Sequence, residues 1–273
     1  MSTVRLMALG ATVEVQVSGD LASAAVAEIE RVWHLCAMPP GDGLGAAPDS
    51  PRGAVRVVHG EASLSVTDID NGHVEGSHLR DLMQLLTQAV TRAAIDAQKG
   101  RLVMLHAAGI QHPASGATVA MVGPGGTGKT TLIRTLCRGR RYITDETVAL
   151  REDNTVLPYP KPLSVRREPS SPWKDETDPH DLGLLAPSAP ASLAAIVMLD
   201  RRDDHDGAPT VEPVPTLDAI AALTPETSHL PELDKPLQRM AALCDSVGGV
   251  LRVTYREAAH LEPLVERWLG AGG

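Results

Sequence analysis

The chain has 273 residues, a length that allows one large domain or two modest ones. Hydrophobic residues make up 43% but aromatics only 2%, with no Phe. The core must therefore be built from Val, Leu, Ala and Ile, and base stacking on aromatic platforms is not expected. The formal net charge is −9 with no Lys/Arg run, which argues against a nucleic-acid partner or an anionic membrane surface but leaves room for a local cationic pocket.

Residues 4–9 and 11–17 read as strands joined at Gly10, with Val13, Val15 and Val17 alternating against Thr12, Glu14 and Gln16. Asp20 is placed to cap a helix running to about Cys36, with Ile29, Val32, Trp33 and Cys36 along its apolar side and Pro39-Pro40 as its stop. Residues 41–53 are Gly/Ala/Pro-rich and read as a loop, and residues 54–58 and 62–66 as a hairpin about His59-Gly60-Glu61. Ser77 caps the strongest helical pattern, in which Leu79, Leu82, Met83, Leu86, Val90, Ala93 and Ala97 keep helical spacing to Gly100. Residues 1–98 are thus expected to form a small N-terminal α+β unit without a catalytic signature, and residues 99–273 a second domain.

That second domain is organised around one stretch. Residues 102–105 and 107–111, separated by His106, lead into Ala117–Val122, a β-branched apolar run that reads as a buried strand. Gly123, Pro124, Gly125, Gly126, Thr127, Gly128, Lys129 and Thr130 follow at once and fit G-x-x-x-x-G-K-[ST] without a mismatch. Residues 130–138 then read as a helix with Leu132, Ile133, Leu136 and Cys137 on one face. The glycines let the backbone approach an anion. The N–H groups of the loop and of the first helical turn, through Thr131, point at phosphate. Lys129 supplies a mobile charge and Thr130 a hydroxyl for Mg²⁺.

Residues 142–144 and 147–150 read as short strands around Asp145-Glu146; residues 156–165 as Pro-punctuated edge strand or loop; residues 166–190 as a long polar loop containing Trp173. A buried strand at 193–199, a charged turn at 201–209, helices at 214–223 and 233–246, a strand at 250–255 and a helix at 260–269 complete the chain. A phosphate loop needs an acid for metal and nucleophile, and two candidates present themselves. Asp200 ends a hydrophobic strand, as the metal-binding acid of ordinary P-loop ATPases does. Asp145 and Glu146 begin 16 residues after Lys129, so the chain returns directly beside the loop, and two adjacent acids can divide metal binding and proton abstraction. The second is favoured. His106 interrupts an apolar stretch beside the strand that feeds the loop and joins the candidate set.

With these residues in place, the chain resembles the HPr kinase/phosphorylase family, and above all its compact HPr kinase-like serine kinases, several of which sit in biosynthetic clusters for ribosomally made peptides such as lasso peptides. The resemblance runs over residues 102–150, LHAAGI…GPGGTGKTT…YITDETVAL, and more weakly through Tyr159-Pro160-Lys161-Pro162-Leu163-Ser164 and Leu199-Asp200-Arg201. It implies a P-loop on a mixed sheet like that of phosphoenolpyruvate carboxykinase. It also implies Mg²⁺-dependent transfer of the γ-phosphoryl group of ATP to a serine hydroxyl of a peptide or small protein, with the acidic pair supplying a general base and a metal contact and His106 beside it. Glu146 stands where bacterial HPr kinases have Asp, which leaves open which of the pair is base and which holds metal; the long Gly-rich signature of the bifunctional enzymes is missing after Leu150, so kinase activity alone is implied. In that scheme Lys129, Asp145, Glu146 and His106 are catalytic and Thr130 and Asp145 hold metal; Lys161 and Arg201 could add positive charge, though an exposed base on a loop is the slightly favoured reading of each. The rivals are a P-loop ATPase or GTPase using Asp200, a nucleotide-binding regulator, and a small-molecule kinase on the same fold.

Cys36, Cys137 and Cys244 are far apart and odd in number, without C-x-x-C, so neither a disulfide framework nor a zinc site is suggested. With no basic start followed by an apolar stretch and no apolar run near about 18 residues, the expectation is a cytoplasmic protein. The sequence leaves the oligomeric state open.

Overall fold

The computed structural model describes residues 2–18, 22–38, 52–60, 63–68, 72–76, 79–168 and 173–270, with the backbone alone for 52–60, 63–68 and 72–76. The chain divides into two compact units, Met1–Gln98 with Tyr159–Leu182, and Lys99–Pro158 with Gly183–Gly273. The sequence reading assigned all of 99–273 to one domain, and the stretch Tyr159–Leu182 departs from that assignment.

In the first unit, β1 (Ser2–Ala8) and β2 (Ala11–Ser18) form an antiparallel hairpin closed by Leu9 and Gly10, both at positive φ (52° and 74°). Two-residue turns of that hand follow the natural twist of paired strands. Val13, Val15 and Val17 are buried and Glu14 and Gln16 half-buried, as the alternation predicts, but Thr12, expected on the wet face, is buried too. α1 (Ala22–Val32) stops short of Cys36, because residues 33–36 tighten into a turn in which Cys36 N donates to Trp33 O at 2.7 Å. β3 (Arg52–Gly60) runs parallel to β2 and is followed by antiparallel β4 (Ser63–Asp68) and β5 (Gly72–Gly76), giving the order β1-β2-β3-β4-β5. β5 was not expected. The expected caps Asp20 and Ser77, the Glu61 turn residue and most of the 41–53 loop lie outside the described residues. α2 (Leu79–Ala97) lies over β2–β5 and buries Leu82, Leu86, Val90 and Ala94.

The second unit has β6 (Val103–Gln111) as its spine. The sequence suggests two strands broken at His106, but β6 is continuous, because it is paired along both edges. One edge takes β7 (Ala117–Val122), which leads through α3 (Lys129–Leu136) to β8 (Arg141–Thr144) and β9 (Thr147–Leu150) on the other edge; β10 (Val156–Leu157) extends β9. The chain then makes its excursion into the first unit. β11 (Leu163–Arg166), almost all within the stretch read as edge strand or loop, pairs antiparallel with β12 (Lys174–Thr177), which lies where a long polar loop was expected. Lys174 N donates to Gln84 Oε1 at 2.7 Å, and Tyr159 OH lies 2.8 Å from Thr91 Oγ1, so the excursion is pinned to α2.

On return, β13 (Ser192–Arg201) runs parallel to β7. β14 (Thr210–Val214) precedes α4 (Thr216–Leu223), β15 (Thr227–Ser228), α5 (Pro236–Ser246), β16 (Val250–Tyr255) and α6 (Glu262–Trp268). Among the described residues the sheet has nine strands in the order β10-β9-β6-β7-β13-β16-β14, with β8 and β15 also on β6. β7, β13 and β16 are mutually parallel and the remaining pairings antiparallel, so this is a mixed sheet in an α/β unit. Its core, including Leu105, Val122, Ile143, Ile196, Leu223 and Met240, packs the sheet against α4 and α5.

Candidate functional site

The loop 123–128 leaves the C-terminal end of β7 and enters α3 without a break. Gly126 and Gly128 sit at φ 87° and 94°, a backbone region in which a side chain is strained, and Gly128 is the residue on which α3 starts. Thr127 closes the turn, with both its N (3.3 Å) and its Oγ1 (2.7 Å) donating to Pro124 O. Leu132 N to Gly128 O at 2.9 Å is the first backbone bond of the helix, so the amides of the preceding turn point out of the helix end, as they do wherever helices receive anions. Lys129 is buried along its length, and its ammonium donates to Gly123 O (2.5 Å) and Pro124 O (3.2 Å). The charge is thus held at the loop.

β8 and β9 run along one edge of β6 almost as a single strand, Gly109 opposite Thr144 and His106 opposite Thr147, and Asp145-Glu146 is the irregularity between them. On its other edge β6 sets Ala107 opposite Val122, the last residue before the loop. Two adjacent strands therefore bring the acidic pair and the loop together. Thr144 Oγ1 accepts from Glu146 N (3.1 Å) and Thr147 N (3.3 Å), which fixes the irregular turn.

The two carboxylates have different partners. Asp145 is buried; its Oδ2 accepts from Thr130 Oγ1 at 2.7 Å and its Oδ1 from Tyr142 OH at 3.2 Å. Glu146 keeps 38% side-chain exposure, and its Oε1 lies 3.2 Å from His106 Nδ1, which is also 3.0 Å from the Glu146 carbonyl oxygen. Thr130, Asp145, Glu146 and His106 are thus brought together. Tyr142 was missed, because nothing in strand alternation aims residue 142 at residue 145 until the chain turns irregular.

Asp200 ends β13 but is engaged elsewhere: Arg202 Nε donates to it at 2.9 Å and Thr254 Oγ1 at 3.2 Å. The Arg202 hydrogen bond holds its carboxyl below the usual carboxylate range. Arg201 borders an open cleft of about 270 Å³ beside the loop, shared with Thr127, Gly128, Thr131 and Arg256. Lys161 falls in the other unit, buried, its ammonium donating to Pro162 O at 3.0 Å. Arg140, just past α3, was also missed. It donates to Leu136 O at the C-terminal end of the helix and to Glu262 (2.7 Å) and Glu266 on α6, so it clamps the end of the helix opposite the loop.

Among the described residues no group of three or more His, Cys, Asp or Glu side chains is set to hold a metal, and no helix is long and apolar enough to cross a membrane. Thr130 and Asp145 offer a hydroxyl and a carboxylate side by side. Such a pair of hard oxygens suits Mg²⁺, which commonly takes one or two protein ligands and fills its octahedron with water and phosphate.

No protein-family model and no curated protein matches the chain. Among solved structures it is similar to the HPr(Ser) kinase/phosphatase from Coxiella burnetii, at 14% identity, covering 62% of this chain and 94% of that one, with a TM-score of 0.34. The likeness is distant.

Proposed function

We propose that the protein is a Mg-ATP-dependent kinase that transfers the γ-phosphoryl group to a hydroxyl, that of a serine in a peptide or small protein. The observation that carries the reading is the 2.7 Å contact between Thr130 and Asp145 at the foot of a Gly-rich loop whose lysine is held at the loop carbonyls. An ordinary turn before a helix has no use for a buried carboxylate directed at the hydroxyl of its first turn.

In this reading the amides of the loop and of the first turn of α3, together with Lys129, receive the β- and γ-phosphates. Thr130 and Asp145 hold the magnesium ion, which when bound offsets the charge that builds on the transferring group. Tyr142 fixes the orientation of the Asp145 carboxylate. Glu146, the more exposed of the two acids, accepts the proton of the acceptor hydroxyl, and His106 holds Glu146 in position. Catalysis is mostly positioning and charge stabilisation. The engagement of Asp200 with Arg202 and Thr254 disfavours the ATPase alternative that would use it as the metal acid.

The test is mass spectrometry of serine-containing peptides incubated with the protein and Mg-ATP, looking for the gain of one phosphate, with Lys129→Ala as the control. Lys129→Ala should abolish transfer while leaving the thermal melt in place. Phosphate gain with that variant, or ATP consumption with no acceptor modified under any condition, would overturn the reading.

A further inference from the structure

β7, β13 and β16 are parallel and end on the same side of the sheet, where ligands of α/β folds collect. The Gly-rich loop leaves β7, Arg201 closes β13, and Arg256 follows β16; the last two are tied by Arg201 Nε donating to Arg256 O at 3.2 Å. Between them lies the cleft of about 270 Å³, with Thr127, Gly128, Thr131 and Thr135 as its other wall. Thr131 and Thr135 are four residues apart on α3, so their hydroxyls stand one above the other on the same face.

We propose that this cleft is the nucleoside subsite, taking the base and ribose of the nucleotide whose phosphates lie in the loop, and that the guanidinium plane of Arg256 does the stacking an aromatic ring does elsewhere; this rests on the kinase reading above. The cleft opens directly off the loop, and its volume suits a nucleoside better than an extended peptide, so the acceptor is not its occupant. Its one aromatic lining residue, Tyr255, is only 1% exposed and offers no ring face, and the chain has no Phe. The planar guanidiniums of Arg201 and Arg256 are the remaining flat side chains in the lining, and Arg201 is engaged with Arg256 O and Asp203 (3.2 Å each); guanidinium groups stack on ring systems. Arg256 is half exposed and only loosely paired, 3.8 Å from Asp206 and 4.0 Å from Glu257, so little holds it back from a ligand.

Calorimetry of the whole chain in Mg²⁺ separates the two parts of the ligand by comparing ATP with inorganic tripolyphosphate. Wild type should bind ATP more tightly than tripolyphosphate. Arg256→Ala should weaken ATP by about tenfold, the order of a lost base stack, and leave tripolyphosphate unchanged. Arg256→Lys, which keeps the charge and loses the plane, should fall with Arg256→Ala. Wild-type ATP affinity in Arg256→Ala would overturn the subsite, and wild-type affinity in Arg256→Lys would overturn the stacking. If wild type binds neither ligand, the loop itself does not hold phosphate, and the kinase reading falls with the inference.

Discussion

Thr130 donates its hydroxyl to Asp145 at 2.7 Å, joining the first turn of α3 to the irregular turn between β8 and β9. If the pair holds Mg²⁺, Asp145→Asn should lower kcat/KM by about 10²–10³-fold, the usual loss when a charge-stabilising group leaves an active site, and raise the Mg²⁺ concentration for half-maximal rate. Thr130→Ala should shift the Mg²⁺ requirement in the same direction by less. Steady-state rates over a magnesium titration check both, and an unchanged Mg²⁺ requirement in Asp145→Asn would remove Asp145 from the metal.

Glu146 and His106 are predicted to act as one device. Glu146→Gln and His106→Ala should each reduce kcat far more than KM, and the double variant should lose little beyond the worse single, since groups that work through one another are not additive. A double-mutant cycle on kcat measures this. Losses that simply multiply would leave His106 without a part in orienting Glu146.

Asp200→Asn should keep most of the kinase activity, because the carboxylate is committed to Arg202 and Thr254. Its effect belongs to stability. A carboxyl held below its ordinary value contributes stabilisation that is present above the unfolded value, about 3.9, and is lost as pH falls through the folded value. Thermal melts of wild type should therefore exceed those of Asp200→Asn at neutral pH and converge with them in strong acid. A difference that persists below both values would contradict the Arg202 pairing.

Cys36, Cys137 and Cys244 are all buried and unpaired with one another. Burial raises all three thiols, and pushes that of Cys137 up to about 12, so none is appreciably thiolate at pH 8. Native protein at pH 8 should react slowly with a disulfide reagent such as dithionitrobenzoate, and unfolded protein should release three equivalents. A fast native equivalent would place one thiol on the surface.

Local pattern announced β7, the loop, α3 and α2, because each carries its own periodicity or motif. The partnership of Asp145 with Thr130 was also legible, from the short return after α3. What escaped depends on distant pairing. β14 falls between the turn read at 201–209 and the helix read from Val214, and Pro213 weakens its strand pattern; as the outermost strand of its sheet it tolerates a missing N–H. β6 was split at His106 because a polar residue breaks an apolar run, yet neighbours on both edges keep the strand intact. The β12 half of the β11–β12 hairpin was hidden in a polar stretch, since its ties to Gln84 and Arg80 on α2 span 90 and 95 residues. Arg140 carried no signal, because the glutamates it binds lie more than a hundred residues ahead.

The excursion of Tyr159–Leu182 also dictates how the gene can be divided. A single break at codon 98 does not yield two autonomous products. The downstream piece would display Tyr159 and Leu163, buried in the whole chain, and the upstream piece would lack the hairpin to which Arg80 and Gln84 attach. Producing either half alone calls for a graft: residues 159–182 spliced onto the upstream product, and Pro158 bridged to Gly183 in the downstream one.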